Sequence, residues 1–80
     1  MKDIVLYIKS GCPWCIDAEN YLKKKGIEYT RLEVRSSPEN MKEMLSISGQ
    51  DKAPTMKLGD DVLADFGVDE LIPFLAKHGM

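Results

Sequence analysis

The sequence is poor in cysteine and histidine: its 80 residues include two cysteines, Cys12 and Cys15, and one histidine, His78. Four-coordinate zinc needs two ligands beyond a cysteine pair, and a single histidine cannot supply both. We expect His78, near the carboxyl end of the chain, to be solvated or paired with a helix dipole, and no pattern around it indicates a catalytic base. The cysteine pair is therefore the feature best able to carry chemistry.

Long apolar stretches are also absent, since the longest, Ile4–Ile8, has five residues. Neither a transmembrane helix nor the apolar segment of a secretory signal can be built from so few. The formal net charge is -2 with both signs interspersed, which favours neither nucleic acid nor an anionic membrane as a partner. We therefore expect a cytoplasmic protein that binds neither, in which the cysteines serve redox chemistry or metal binding rather than a structural disulfide.

The chain has the composition of an ordinary folded domain, 44% hydrophobic and 30% charged, without internal repeats or low-complexity tracts. Eighty residues suffice for one hydrophobic core and leave no room for a second domain. We therefore expect residues 1–80 to form a single domain. We also expect the protein to be a monomer.

Cys12 and Cys15 flank Pro13 and Trp14 at the point where a strand turns into a helix. The strand is predicted from the continuous, β-branched apolar run Ile4–Ile8, which is typical of a strand covered on both faces. Because proline suits the first helical position, Cys12 is predicted at the N-cap, where unpaired N–H groups and the helix dipole favour the thiolate. Cys15 lies one turn deeper, within reach of the Cys12 sulfur. This spacing is that of a reversible dithiol–disulfide pair.

Amphipathic spacing and turn residues predict the remaining elements. Gly26 stands where a left-handed cap would end the first helix. The second helix starts either with a capping box of Ser36 and Glu39 or with Ser37 as the cap before Pro38. After the first strand, we predict a helix over Pro13–Lys25, a strand over Ile27–Val34, a helix ending at Ser48–Gln50, a hairpin of Thr55–Leu58 and Val62–Ala64, and a helix from about Asp69.

Each predicted helix has one apolar face that we expect to point into the core. These faces are Cys15, Ala18, Tyr21 and Leu22 in the first helix, Met41, Met44 and Leu45 in the second, and Leu71, Ile72 and Leu75 in the third. Pro73 must lie in the first turn of the last helix or distort it slightly. A right-handed crossover makes the first two strands parallel, and the hairpin adds antiparallel strands to the same sheet, with helices on both faces.

Four segments carry a resemblance to a known family. They are Lys9–Cys15 with its Cys-Pro-Trp-Cys motif, Ala18 with Leu22, Ala53–Thr55, and Gly67–Leu71. With these segments the chain resembles the glutaredoxins, in which corresponding stretches read Cys-Pro-aromatic-Cys, Thr-Val-Pro and Gly-Gly-x-Asp-Asp-Leu. The resemblance covers nearly all 80 residues. It implies an α/β protein with the thioredoxin fold, a four-stranded mixed sheet with helices on both faces.

The resemblance also implies a set of site residues. Cys12 would be the nucleophile and Cys15 the resolving thiol, supported by Pro13, by Trp14 and by a cis Pro54 that presents the backbone of Ala53. Glutathione, the implied co-substrate in a protein without a tightly bound cofactor, would contact Lys9, Ala53, Val68 and Asp69. Three of these residues have plainer interpretations: Trp14 could pack against the helix, Lys9 could be a solvated lysine, and Asp69 could be an N-cap.

Departures from the family pattern leave alternatives open. Lys52 and Ala53 replace the family's Thr-Val, and Phe66 stands where its first glycine would be. The segment Ala64–Asp69 is also similar to that of small redoxins that take electrons from thioredoxin reductase. The leading hypothesis is a glutathione-dependent reductase of disulfide-containing proteins, and the second is such an electron-donor redoxin. A third, an iron–sulfur cluster bridged between two chains by Cys12 and glutathione, is disfavoured by Pro13.

Overall fold

The computed structural model describes residues 3–80. Its strands are β1 (Ile4–Ile8), β2 (Thr30–Glu33), β3 (Thr55–Leu58) and β4 (Asp61–Ala64), and its helices are α1 (Pro13–Lys24), α2 (Pro38–Ser48) and α3 (Val68–Lys77). The order of elements is the one predicted from the sequence. Within residues 3–80, no helix has the length and apolar character needed to cross a membrane.

The four strands form one mixed sheet in the order β2-β1-β3-β4. β1 and β2 are parallel, with Ile8 opposite Glu33 at their carboxyl ends. β3 is antiparallel to both β1 and β4. The predicted sheet is therefore confirmed. Its topology brings the ends of β1, β2 and β4 and the start of β3 to one edge, which we call the carboxyl edge.

Helices cover both faces of this sheet. Side chains of β1 alternate between the two faces, so this strand contributes to a core on each side. Leu6 points to the larger core, and its neighbour Tyr7 points to the smaller one. The larger core is built with α1 and α3, which contribute Cys15, Ala18, Leu22, Leu71 and Leu75. The smaller core joins Tyr7, Val34 and Met44 of α2. Two-sided burial explains the unbroken apolar run of the first strand.

The second strand is shorter than the predicted Ile27–Val34, since pairing with β1 begins at Thr30. The preceding residues close α1 instead. Gly26 has a positive φ of 67°, and the Ile27 N–H donates to the Leu22 carbonyl at 2.9 Å, which turns the chain back over the end of the helix. Ile27 then packs against the larger core. Its apolar character reflects this helix closure rather than a strand.

Two residues predicted to face inward are exposed. Leu45 is 42% exposed. Ile47 packs against the smaller core instead, where Leu45 was predicted to lie. Ile72 is 44% exposed, and Phe74 packs against the larger core instead. Each misplaced residue directly follows a fully buried one, so it is turned about 100° away from the core.

The helix starts are close to those predicted. Ser37, rather than Ser36, caps α2, and its Oγ accepts the Asn40 N–H at 3.3 Å. α3 begins one residue earlier than predicted, at Val68 with Gly67 as its N-cap. Pro73 therefore lies in the second turn of α3, not in its first.

Candidate active site

The turn that carries Cys12 lies at the carboxyl edge, directly after β1. The Cys12 N–H donates to the Lys9 carbonyl at 3.2 Å and closes a four-residue turn. Gly11, the third residue of this turn, has a φ of 80°, which L side chains rarely adopt. Lys9 is half-buried at the first position of the turn. We call residues 9–12 the cysteine turn.

Cys12 occupies the N-cap of α1, as predicted, with Pro13 at the start of the helix. Its Sγ accepts the Cys15 N–H at 3.3 Å. This hydrogen bond gives the sulfur the place that a serine or threonine oxygen takes in an ordinary N-cap. The residue is half-buried and packs in part against the larger core, so Cys12 is supported by the helix start without being enclosed.

Cys15, one turn further along α1, is only 1% exposed. Both cysteines are free thiols. Burial, reinforced by the hydrogen bond and charge of the neighbouring Cys12, raises the pKa of the Cys15 thiol to about 12. The two sulfurs are therefore unequal: one is accessible at the helix start, and the other is shielded and held in its neutral form.

The loop before β3 completes the site from the opposite side. The Ala53–Pro54 peptide bond is cis, which confirms the prediction for Pro54, and the proline is buried. The Cys12 thiol donates to the Ala53 carbonyl across 3.9 Å. The main chain of Ala53 thus faces Cys12, as expected from the sequence.

A groove lies beside the cysteines, between α1 and the start of α3. Trp14 is 54% exposed and stands over Gly67, where an added Cβ would meet its ring at 4.0 Å. The groove has a volume of about 350 Å³ and is lined by Trp14, Asp17, Gly67, Val68, Asp69 and Glu70. Val68 and Asp69 therefore share one groove with Trp14. Since Gly67 is the N-cap, the interpretation of Asp69 as a cap is wrong.

Sequence reasoning missed Glu33, the last residue of β2. Its carboxylate accepts the Ser10 N–H at 2.8 Å, the Ser36 N–H at 2.7 Å and the Ser36 hydroxyl at 2.8 Å. These hydrogen bonds, those from Ser36 first, lower the pKa of Glu33 to about 2. The parallel register, which places Glu33 beside the end of β1, is the signal that could have pointed to it.

Gln50 was also missed. Its amide nitrogen donates to the Thr55 hydroxyl at 3.0 Å and to the Ser48 hydroxyl at 2.9 Å, and its oxygen accepts the Lys52 N–H at 2.7 Å. The Thr55 hydroxyl in turn donates to the Lys52 carbonyl at 2.8 Å. One neutral side chain thus organises residues 49–54, which we call the proline loop.

His78 lies away from this site. Its ring is 2.9 Å from the carboxylate of Asp61, which begins β4 at the end of the sheet opposite the carboxyl edge. The expectation of a solvated His78 is wrong, because its side chain is only 9% exposed and pairs with this carboxylate. Among residues 3–80 there is no group of three or more His, Cys, Asp or Glu side chains arranged to hold a metal ion.

Comparison with known proteins places these features in a family. The family described as Glutaredoxin matches residues 4–63. A glutaredoxin-like 8.6 kDa protein of Clostridium pasteurianum, uncharacterized and encoded in a rubredoxin operon, is 28% identical over 74 residues, which cover 92% of this chain and 99% of that protein.

Two solved structures have the same fold. A glutaredoxin from Archaeoglobus fulgidus superposes with a TM-score of 0.79 at 22% identity, over 94% of this chain and 87% of its own. The glutaredoxin-like NrdH-redoxin from Escherichia coli superposes with a TM-score of 0.74 at 22% identity, over 89% of this chain and 92% of its own. The family match spans both cysteines and the cis proline, and the chain therefore belongs to the glutaredoxin family of thiol-disulfide oxidoreductases.

Proposed function

We propose that this chain is a glutathione-dependent thiol-disulfide oxidoreductase that reduces protein disulfides and glutathione mixed disulfides, with Cys12 and Cys15 as its catalytic residues. The observation that carries the proposal is the inequality of the two thiols. Cys12 is half-buried with its Sγ on an N–H of the helix start, while Cys15 is fully buried one turn away. The protein would work as a single domain and a monomer in the cytoplasm, where cysteines stay reduced.

The reaction begins when the Cys12 thiolate attacks one sulfur of the substrate disulfide. A bond between Cys12 and that sulfur forms, the substrate disulfide breaks, and the leaving thiolate takes up a proton. Cys15 then loses its proton and attacks the Cys12 sulfur, which forms the Cys12–Cys15 disulfide and releases the second substrate thiol. The substrate gains two electrons, and two glutathione molecules return them to the protein as they become glutathione disulfide.

The raised pKa of Cys15 explains why Cys12 attacks first and Cys15 second in the proposed reaction. Part of the increase comes from the hydrogen bond and charge of Cys12. Both effects end once Cys12 is bound in a mixed disulfide, because the sulfur then carries no charge and no proton. Capture of substrate would therefore lower the pKa of the Cys15 thiol, while burial, the largest cause of the increase, remains. Before capture, its neutral form keeps it from competing with Cys12.

Glutathione would bind across the proline loop and the groove of Trp14. The Ala53 main chain, 3.9 Å from Cys12, is positioned to pair with the cysteinyl part of the tripeptide in the manner of an added strand. Val68 and Asp69 line the groove, and the N–H of the first and the carboxylate of the second would hold the γ-glutamyl end. Lys9, half-buried in the cysteine turn, would pair with the glycyl carboxylate.

A Cys15→Ser substitution tests the division of labour. We expect this variant to keep its activity on a glutathione mixed disulfide, which needs Cys12 alone, and to lose the reduction of protein disulfides to the background rate. Both activities are measured with glutathione, glutathione reductase and NADPH. Cys12→Ser is the matched control and should lose both activities. Loss of both activities in Cys15→Ser would contradict the proposal.

A second candidate function is that of a redoxin reduced directly by thioredoxin reductase. It is favoured by Phe66, which is fully buried at the place of the first glycine in the glutaredoxin pattern. It is also favoured by the fold shared with the Escherichia coli NrdH-redoxin, a glutaredoxin-like protein with a thioredoxin-like activity profile. A side-by-side assay with glutathione plus its reductase and with thioredoxin reductase distinguishes the two. Turnover with thioredoxin reductase alone would replace the first proposal with the second.

A further inference from the structure

The carboxylate of Glu33 bridges the cysteine turn and the segment that leads into α2. It accepts hydrogen bonds from Ser10 in the turn and from Ser36 before the helix. We infer that Glu33 is a positioning residue for Cys12: its ionised carboxylate fixes the turn and thereby sets the reactivity of the Cys12 thiol. The inference rests on the proposed role of Cys12 as the nucleophile and adds a residue outside the groove and the proline loop.

The fold brings Glu33 to the cysteine turn through strand pairing. Ile8 and Glu33 are partners at the ends of two parallel strands, and the Val34 N–H extends the pairing by donating to the Ile8 carbonyl at 2.9 Å. The main chain of Glu33 is held as well, since its carbonyl accepts the Asn40 side-chain amide at 3.0 Å. The carboxylate is therefore presented to Ser10 by a backbone that is fixed on both sides.

The hydrogen-bonding pattern requires an anion at this position. The groups that hydrogen-bond to the carboxylate are donors: the Ser10 N–H on Oε2, the Ser36 N–H and hydroxyl on Oε1, and the Ser10 side chain. An ionised carboxylate accepts on both oxygens, whereas an amide has one oxygen and one NH₂ group. Glutamine at position 33 would place its NH₂ against a donor and lose one side of the bridge. The lowered pKa of Glu33 agrees with this preference for the charged form.

The link from Glu33 to the sulfur runs through a single turn. Ser10 is its second residue, and Cys12, its fourth, is held by the Lys9 carbonyl and by its place at the helix N-cap. Releasing Ser10 frees the side of the turn opposite the helix. Cys12 then loses its fixed distance to the Cys15 N–H and to the Ala53 carbonyl, the recorded partners of its sulfur.

A Glu33→Gln substitution tests this inference through the alkylation rate of Cys12. The rate with iodoacetamide is measured in a Cys15→Ser background over a range of about pH 5 to 9, together with kcat/KM for a glutathione mixed disulfide. We expect both rates to fall about tenfold, because small displacements of a reacting group are costly. Glu28→Gln, which removes the same charge from an exposed glutamate, should leave both rates unchanged.

Two further variants separate positioning from general stability. Ser36→Ala removes a hydrogen bond from the same carboxylate but leaves Ser10 in place, so it should lower the free energy of unfolding in urea without changing alkylation. Ser10→Pro removes both the N–H and the hydroxyl that interact with the Glu33 carboxylate, at a turn position that suits proline. In the Ser10→Pro background, Glu33→Gln should have no further effect on the alkylation rate.

The outcomes separate this inference from the proposed function. If Cys12 reacts rapidly in the Cys15→Ser protein and equally fast after Glu33→Gln is added, the positioning role is wrong and the proposed function stands. If Ser36→Ala slows alkylation as much as Glu33→Gln does, Glu33 acts through stability and the positioning role is again wrong. If Cys12 in the Cys15→Ser protein with Glu33 intact reacts no faster than a free peptide thiol, the role of Cys12 as nucleophile fails first.

Discussion

The cysteine turn and the proline loop meet at one contact, 3.9 Å between the Cys12 sulfur and the Ala53 carbonyl, yet they are held by opposite chemistry. The cysteine turn is tied to the neighbouring strand by the carboxylate of Glu33. The proline loop is tied to β3 by neutral groups, the amide of Gln50 and the buried hydroxyl of Thr55. The hydrogen bonds of the cysteine turn therefore depend on pH, whereas those of the proline loop do not.

The difference follows from burial. Thr55 is fully buried, and a charge there would be strongly destabilised by desolvation. Neutral hydrogen bonds therefore order the proline loop. Glu33 lies at the sheet edge, where its charge stays hydrated and its hydrogen bonds are charge-assisted. Acid should therefore loosen the cysteine turn and leave the proline loop in place. Of the two segments, only the one that carries Cys12 should respond to pH.

Among the substitutions that test this difference, Thr55→Val should have the largest effect on the free energy of unfolding. Valine keeps the shape of threonine but deprives the Lys52 carbonyl and the Gln50 amide of a partner. We expect the free energy of unfolding to fall by about 1–3 kcal/mol, the range for an unsatisfied buried polar group. Urea unfolding measures the change, with Thr30→Val on the exposed edge strand as the matched control. Equal effects at both positions would mean that the hydroxyl network does not hold the loop.

A Gln50→Glu substitution gives the proline loop the chemistry of the cysteine turn. The carboxylate cannot donate to Thr55 or Ser48, so we expect a loss of about 1 kcal/mol at neutral pH. Protonation restores one donor, and the loss should therefore shrink in acid. Asn20→Asp, the same change at an exposed site on α1, is the control for urea unfolding at both pH values. A loss that grew in acid would contradict the assigned donors.

Features set by neighbouring residues could be predicted from the sequence. Cys12 at the N-cap, Pro13 at the helix start and Gly26 after the helix end each depend on backbone geometry within a few residues. The cis Pro54 came from the resemblance to the glutaredoxins and not from local geometry. Burial of Cys15 followed from helical spacing alone, because Cys15 shares the apolar face of the helix with Ala18 and Leu22.

Features set by register and helix rotation could not be predicted. Ser10 and Glu33 are 23 residues apart, and their hydrogen bond exists only because Ile8 pairs with Glu33 and not with a neighbour. Leu45 and Ile72 were assigned to the core although each lies about 100° from a buried residue, since several apolar residues compete for one face. Packing against the other elements decides which of these apolar residues is buried, and the sequence of one helix does not contain that information.

The smallest effect is the pH dependence of the Glu33 bridge. The pKa of Glu33 is lowered from 4.5 to about 2, so its hydrogen bonds stabilise the fold fully above pH 4.5 and are lost as the pH falls toward 2. The difference in unfolding free energy between wild type and Glu33→Gln should therefore be constant from neutral pH to about 4.5 and then shrink. The difference between wild type and Thr55→Val should not change, because a hydroxyl does not titrate there. Urea unfolding at a series of pH values measures both, and a Glu33 difference that persisted at pH 2 would show that the bridge does not need its charge.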